Sequence, residues 1–72
     1  MDNEMGLKQT IGEQVKKRRT ELRMEQVDLQ DYAEVGSTTL SKLEQGKANI
    51  TVETLEKILE VLGLEIVVKV KG

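Results

Sequence analysis

Apolar residues recur along this chain at two periods, and the change from one to the other divides it. Ile11, Val15 and Leu22 fall at helical spacing, with Arg19 among them. Leu29 and Ala33 are four apart and share one helical face. Leu40 and Leu43, following Val35, form another apolar set, while Ser37, Thr38, Ser41 and Lys42 point elsewhere. Val52, Leu55, Ile58, Leu59 and Leu62 make a longer stripe. From Leu64 to Lys71 the period drops to two. Leu64, Ile66, Val68 and Val70 take one face of a segment rich in β-branched residues, which predicts a strand.

Punctuation sets the boundaries. Met1 to Gln9 has no periodicity and reads as a flexible N-terminal segment, 1–9. Thr10 and Glu13 fit a capping box, so the first helix is expected to open at Thr10 and close at Arg23 and Met24. The second runs from about Glu25 to Ala33, Val35-Gly36 turns the chain, and the third runs from about Ser37 to Gln45, stopped by Gly46. Thr51 caps the fourth, with Ile50 positioned to staple onto Leu55, and Gly63 ends it. Two helices as short as the second and third are marginal alone. They must pack on each other and on a further helix, which is the logic of a helix-turn-helix. The expected class is mainly α: four helices over 10–63 and one strand over 64–72.

That strand carries an expectation of its own. A lone strand leaves its backbone donors and acceptors unpaired. A second copy of the chain supplies the missing edge, pairing antiparallel across a two-fold axis. A homodimer is expected, with Leu64, Ile66, Val68 and Val70 as the apolar face of its strands.

Composition narrows the chemistry. The chain has 72 residues, no cysteine and no histidine, so neither a disulfide framework nor a structural zinc is expected, and no metal or cofactor. Tyr32 is the only aromatic residue, which leaves an aliphatic core. No apolar run approaches the ~20 residues of a membrane span, and the polar N-terminus has no signal-peptide pattern. A cytoplasmic location follows as an expectation. Without histidine, cysteine, clustered carboxylates or a glycine-rich phosphate loop, an enzyme is a poor fit. A chain this short has no room for a separate sensing domain, and no small-molecule effector is indicated.

The net charge is −2, whereas nucleic-acid-binding domains are often basic. The sum hides segregation. Residues 1–23 set Lys8, Lys16, Lys17, Arg18, Arg19 and Arg23 against Asp2, Glu4, Glu13 and Glu21. Residues 24–35 carry Glu25, Asp28, Asp31 and Glu34 with no base at all. Residues 36–49 return to a small excess of base, Lys42 and Lys47 against Glu44. What counts is the face each group occupies. Lys16, Lys17 and Arg18 read chiefly as a solvated helix face that aids phosphate attraction in part. Arg19 lies on the apolar stripe, where a guanidinium needs a carboxylate.

From Ile11 to Gly63 the chain resembles the Cro/cI-type helix-turn-helix domain of phage repressors and related bacterial regulators. The matching positions are Ile11-Gly12, Val15, Arg19, Leu22, Met24, Gln26, Leu29, Ala33, Val35, Thr39-Leu40-Ser41-Lys42-Leu43-Glu44, Gly46-Lys47, Thr54-Leu55 and Leu62-Gly63. The run from Thr39 to Lys47 is the specific part. The strand after Gly63 resembles HipB-type antitoxins, whose strands pair in the dimer. The resemblance implies a lambda-repressor-like fold with the third helix in the major groove of double-stranded DNA. It places Ser37, Thr38, Ser41 and Lys42 at base edges, and Gln26, Thr39, Gln45, Lys47 and the Gly46–Lys47 amides at phosphates. It also pairs Arg19 with Glu44 to lock the first helix to the end of the third.

The implied function is a dimeric transcriptional regulator, most simply a repressor, on an inverted repeat. The alternative is an antitoxin that neutralises a HipA-like kinase toxin, meeting it through the acidic face of Asp28, Asp31 and Glu34. Four residues depart from the family pattern: Glu25 replaces a Ser or Thr cap, Gln30 an alanine, Glu34 the turn glycine, and Gly36 a serine cap. They bear on the tilt and first turn of the third helix rather than on the fold.

Overall fold

A computed structural model describes residues 6–71. Four helices follow one another: α1 (Leu7–Glu21), α2 (Gln26–Ala33), α3 (Ser37–Glu44) and α4 (Val52–Leu62). Helix α3 packs on α1 and α2, and α4 packs across the same two helices. Between them lies an aliphatic core of Val15, Leu29, Ala33, Leu40, Leu43, Leu55, Ile58, Leu59 and Leu62. Ile11, Met24, Val35, Ile50 and Leu64 close its margins. Among the described residues no helix is long and apolar enough to cross a membrane.

Helix α1 opens ahead of the expected boundary. Gly6 is its N-cap, and the Thr10 hydroxyl donates back to the Gly6 carbonyl from inside the helix at 3.3 Å. The Thr10–Glu13 capping box therefore does not form, and residues 7–9, expected to be flexible, are helical. Tertiary contacts account for the extra turn. Gly46 approaches Gln9 so closely that a Cβ there would overlap it, and the Lys8 ammonium donates to Asn49 Oδ1. Residues 1–5 of the expected flexible segment lie outside the described residues.

The far end of α1 also differs. Arg23 takes a left-handed conformation (φ 59°), and the Met24 amide returns to the Arg19 carbonyl at 3.0 Å. The helix stops at Glu21, Leu22 is carried off the stripe, and it stands 41% exposed. Val52, assigned to the α4 stripe, is likewise exposed in the first turn, before the helix settles onto the core. The remaining punctuation of α4 holds. Thr51 Oγ1 accepts the Thr54 amide at 3.1 Å, and Gly63 closes the helix at φ 70°.

Gly12 brings α1 and α3 together. A Cβ at this position would overlap the Leu43 carbonyl oxygen, so only glycine permits this approach. Between α2 and α3, Glu34 adopts left-handed backbone (φ 58°, ψ 49°), and the Val35 amide bonds to the Gln30 carbonyl at 3.0 Å.

After Gly63 the Leu64 amide bonds back to the Leu59 carbonyl at 2.9 Å, and Leu64 packs on the core. Beyond it residues 65–71 carry no regular structure, and Ile66, Val68 and Val70 are exposed. The strand expected over 64–72 is not formed within the single chain, because a ladder needs a neighbour and none exists among the described residues. Gly72 lies outside them.

Candidate functional site

The outward face of α3 begins with two residues free of any structural task. Ser37 and Thr38 are exposed in its first turn, and Lys42 follows one turn later. Ser41 sits between them, half-buried. Gln26, at the start of α2, and Gln45, at the C-cap of α3, complete an open depression of about 470 Å³ lined by these six residues. The structure thus brings all four expected base-reading residues, Ser37, Thr38, Ser41 and Lys42, together with two of the expected phosphate residues. Its lining consists of hydroxyls, amides and one ammonium, with no carboxylate. Hydroxyls and amides both donate and accept, and an ammonium donates only, so the surface suits phosphate oxygens and base edges.

Acidic residues are kept off this surface by specific bonds. Glu44 turns inward, where its carboxylate receives Arg19 Nε at 2.7 Å and Nη2 at 3.0 Å. Arg19 Nη1 donates to the Met24 carbonyl at 2.7 Å. Both side chains are almost fully enclosed, 12% exposed for Arg19 and 4% for Glu44. The hydrogen bonds to Glu44 raise the guanidinium pKa above its ordinary value against the opposing effect of burial. Asp28 turns back to cap α2, its Oδ2 accepting the Glu25 amide at 2.8 Å. An acidic residue one turn into the helix thereby serves the end at which the Ser or Thr cap is missing. Gly36, at the start of α3, brings no side-chain cap.

Two of the amides are already oriented. Gln26 Nε2 donates one bond to Glu44 Oε1 at 3.0 Å, which leaves its second N–H and its carbonyl oxygen for a ligand. Gln45 Nε2 donates to Ser41 Oγ at 3.1 Å, and the Ser41 proton remains a donor. The tie between Gln26 and Glu44 has no signal in their sequence spacing.

Not every expected group is available. Thr39 is half-buried beside the depression rather than in its lining. The Lys47 side chain is exposed beyond Gly46, also outside the lining. The Gly46 and Lys47 amides, expected at phosphates, are consumed in closing α3: they bond to the Leu43 and Lys42 carbonyls at 3.0 and 2.9 Å. That closure is the ordinary fate of amides after a left-handed C′ glycine, so the correction follows from Gly46 itself (φ 75°).

Arg18 has a role the sequence did not reveal. Its Nε donates to the Leu62 carbonyl at 2.8 Å, satisfying the last turn of α4 from α1. Its partner is 44 residues away, and no local pattern signals the pairing. Arg18 also pairs with Glu21 at 3.5 Å and is half-buried, while Lys16 and Lys17 are exposed. Asp31 on α2 and Glu34 just after it are exposed and lie outside the lining, as do exposed Tyr32 and Val27.

Residues 15–68 match a family model described as helix-turn-helix. Among solved structures, the chain is similar to the crystal structure of a tyrosine-to-phenylalanine mutant of the restriction-modification controller protein C.Esp1396I. The two share 28% identity and a TM-score of 0.74 over 90% of this chain and 80% of that one. No curated protein matches the sequence significantly.

Proposed function

The chain belongs to the helix-turn-helix family of DNA-binding transcription regulators, and on that footing we propose that it is a sequence-specific repressor binding an inverted repeat as a homodimer. The observation that carries this reading is the acid-free depression in which Ser37, Thr38, Ser41 and Lys42 share one face with Gln26 and Gln45. Helix α3 enters the major groove, where Lys42 suits guanine O6 and N7 and the hydroxyls read more loosely. Gln26, Gln45 and the Lys47 ammonium grip phosphates, with Thr39 at the margin; such contacts position the protein without reading sequence. Residues 10–63 act as the DNA-binding unit and 64–72 as the dimerising segment. Two copies place their α3 helices in half-sites about 34 Å apart. The protein works in the cytoplasm, on the nucleoid, and performs no catalysis.

A gel-shift titration against the promoter of its own gene, over a range of salt, tests this. Log affinity should fall steeply with log salt, and a slope near zero would remove phosphate neutralisation from the account. Lys42→Ala should erode the preference for operator over random DNA, by ~1–3 kcal/mol. Lys47→Ala should weaken both about equally. Equal losses on both DNAs for both variants would overturn this division of labour.

The antitoxin alternative draws on the exposed acids Asp31, on α2, and Glu34, at its end, as a surface for a basic partner. The likeness to a restriction-modification controller protein favours a regulator of that kind instead. Adjacent restriction and methylation genes would support the controller reading, and an adjacent kinase-like gene the antitoxin.

A further inference from the structure

We infer that two copies of the C-terminal segment pair antiparallel with Val67 on the two-fold axis, so that Glu65 of each copy meets Lys69 of the other. The inference rests on the homodimer reading above and adds the register that reading leaves open.

The segment leaves the core as an apolar strip without cover. Ile66 is 50% exposed, Val67 66%, Val68 92% and Val70 99%. In the sequence, apolar Leu64, Ile66, Val68 and Val70 alternate with Glu65, Val67, Lys69 and Lys71. A two-fold axis constrains how such a strip meets itself. Each residue faces the one equally distant on the other side of the axis, and directly opposed residues lie on the same face of the sheet. An axis falling between two residues sets even positions against odd ones and mixes the apolar face with the charged one. The axis must therefore pass through a residue.

The candidates separate by charge and by where α4 ends. With Ile66 on the axis, Glu65 faces Val67, and Val70 faces Leu62, which is still helical and buried. With Val68 on the axis, Glu65 faces Lys71, but Val67 faces Lys69 twice. With Lys69 on the axis, the two copies of Lys69 face each other. Val67 alone satisfies both faces. Ile66 then meets Val68 twice, and Val70 falls opposite Leu64, where the strip runs into the margin of the partner's core, so the apolar face is unbroken. On the other face Val67 meets its own copy, flanked on both sides by a Glu65–Lys69 pair. Val67 is also the midpoint between Leu64, the first residue after the Gly63 stop, and Val70, the last apolar position. Opposite charges directly across a ladder favour pairing and like charges oppose it.

The absence of cysteine from the chain makes the test clean. In the full-length protein, Glu65→Lys and Lys69→Glu should each raise the self-association Kd by roughly tenfold, since both flanking pairs turn repulsive. Mixed together, the two variants should recover wild-type affinity as a heterodimer, whose cross-strand pairs are again opposite in charge. Under mild oxidation Val67→Cys should cross-link to itself. Ile66→Cys and Val68→Cys should cross-link to each other in a mixture and not to themselves. Recovery of Glu65→Lys by Lys71→Glu, or self-cross-linking of Val68→Cys in place of Val67→Cys, would overturn the register while leaving the dimer standing. A monomeric wild-type protein in sedimentation would overturn the dimer and the register together. Circular dichroism of each variant confirms that the helices, which lie outside the altered segment, are intact.

Discussion

Glu34 holds a left-handed backbone at the turn into α3 without glycine's freedom to do so. The conformation costs an L-residue roughly 1–2 kcal/mol. Glu34→Gly should therefore stabilise the fold by roughly 1 kcal/mol, the relief being partly offset by glycine's greater unfolded-state entropy. Thermal denaturation would register this as a rise of ~4–8 °C in Tm, and an unchanged or lower Tm would mean that the Glu34 side chain offsets its own strain. The Arg19–Glu44 pair acts in the opposite direction. Its two side chains are largely enclosed and bonded at both ends, so Glu44→Gln leaves a part-buried guanidinium without its counter-charge. A cost of ~1.5–3 kcal/mol is expected, a large share of what so small a domain has available. Urea unfolding would measure it. Glu44 also holds one amide proton of Gln26, so the residue that joins α1 to α3 orients a side chain of the depression as well, the one proposed to grip a phosphate. Family resemblance alone pairs Arg19 with Glu44, and a lone cation on an apolar stripe by itself demands some carboxylate. The tie to Gln26 is not legible in the sequence, because an amide's partner depends on which helix ends meet in space.

At the scale of the elements, periodicity locates all four helices, and their ends are less accessible. Gly63 and Thr51 bound α4 where expected, since a left-handed stop and a hydroxyl cap act on the backbone beside them. Thr10 is equally suited to start α1, yet α1 extends back to Leu7 because Gln9 packs on Gly46 and Lys8 reaches Asn49. Long-range contacts outvote a local cap. The α1–α3 seam depends on Gly12, where even a methyl group would overlap the Leu43 carbonyl. Gly12→Ala is better suited to helix by propensity, but here it should destabilise by ~1–3 kcal/mol through overpacking against backbone. The same strain would displace α3, so DNA affinity should drop in a binding titration even at temperatures where the variant stays folded. Full affinity together with full stability would show that the two helices can separate at no cost.

Among the described residues the molecule presents the acid-free depression beside α3 and an exposed apolar tail. Among the described residues the tail's Ile66, Val68 and Val70 enter no core. In the proposed dimer, the tail determines how far apart two copies of α3 stand. Deleting 65–72, which spares Leu64 and its closure of α4, should yield a monomer in sedimentation that keeps its helices and loses most of its operator affinity, because each half-site is then bound independently. A truncated protein that still sediments as a dimer would place the contact elsewhere.

The sequence by itself determined the four helices, the aliphatic core and the Lys42-bearing face of α3, because apolar period and short-range punctuation act on neighbouring residues. It also contained the alternation from Leu64 to Lys71 and the Glu65 and Lys69 charges on which the proposed register rests. Only the tertiary structure decided which polar groups are left over for function. It assigned Arg18 to the end of α4, tied Gln26 to Glu44 and used the Gly46 and Lys47 amides to close α3. A polar side chain or amide is available to a ligand only after the fold has satisfied its own buried donors and acceptors, and that accounting joins residues far apart in the chain.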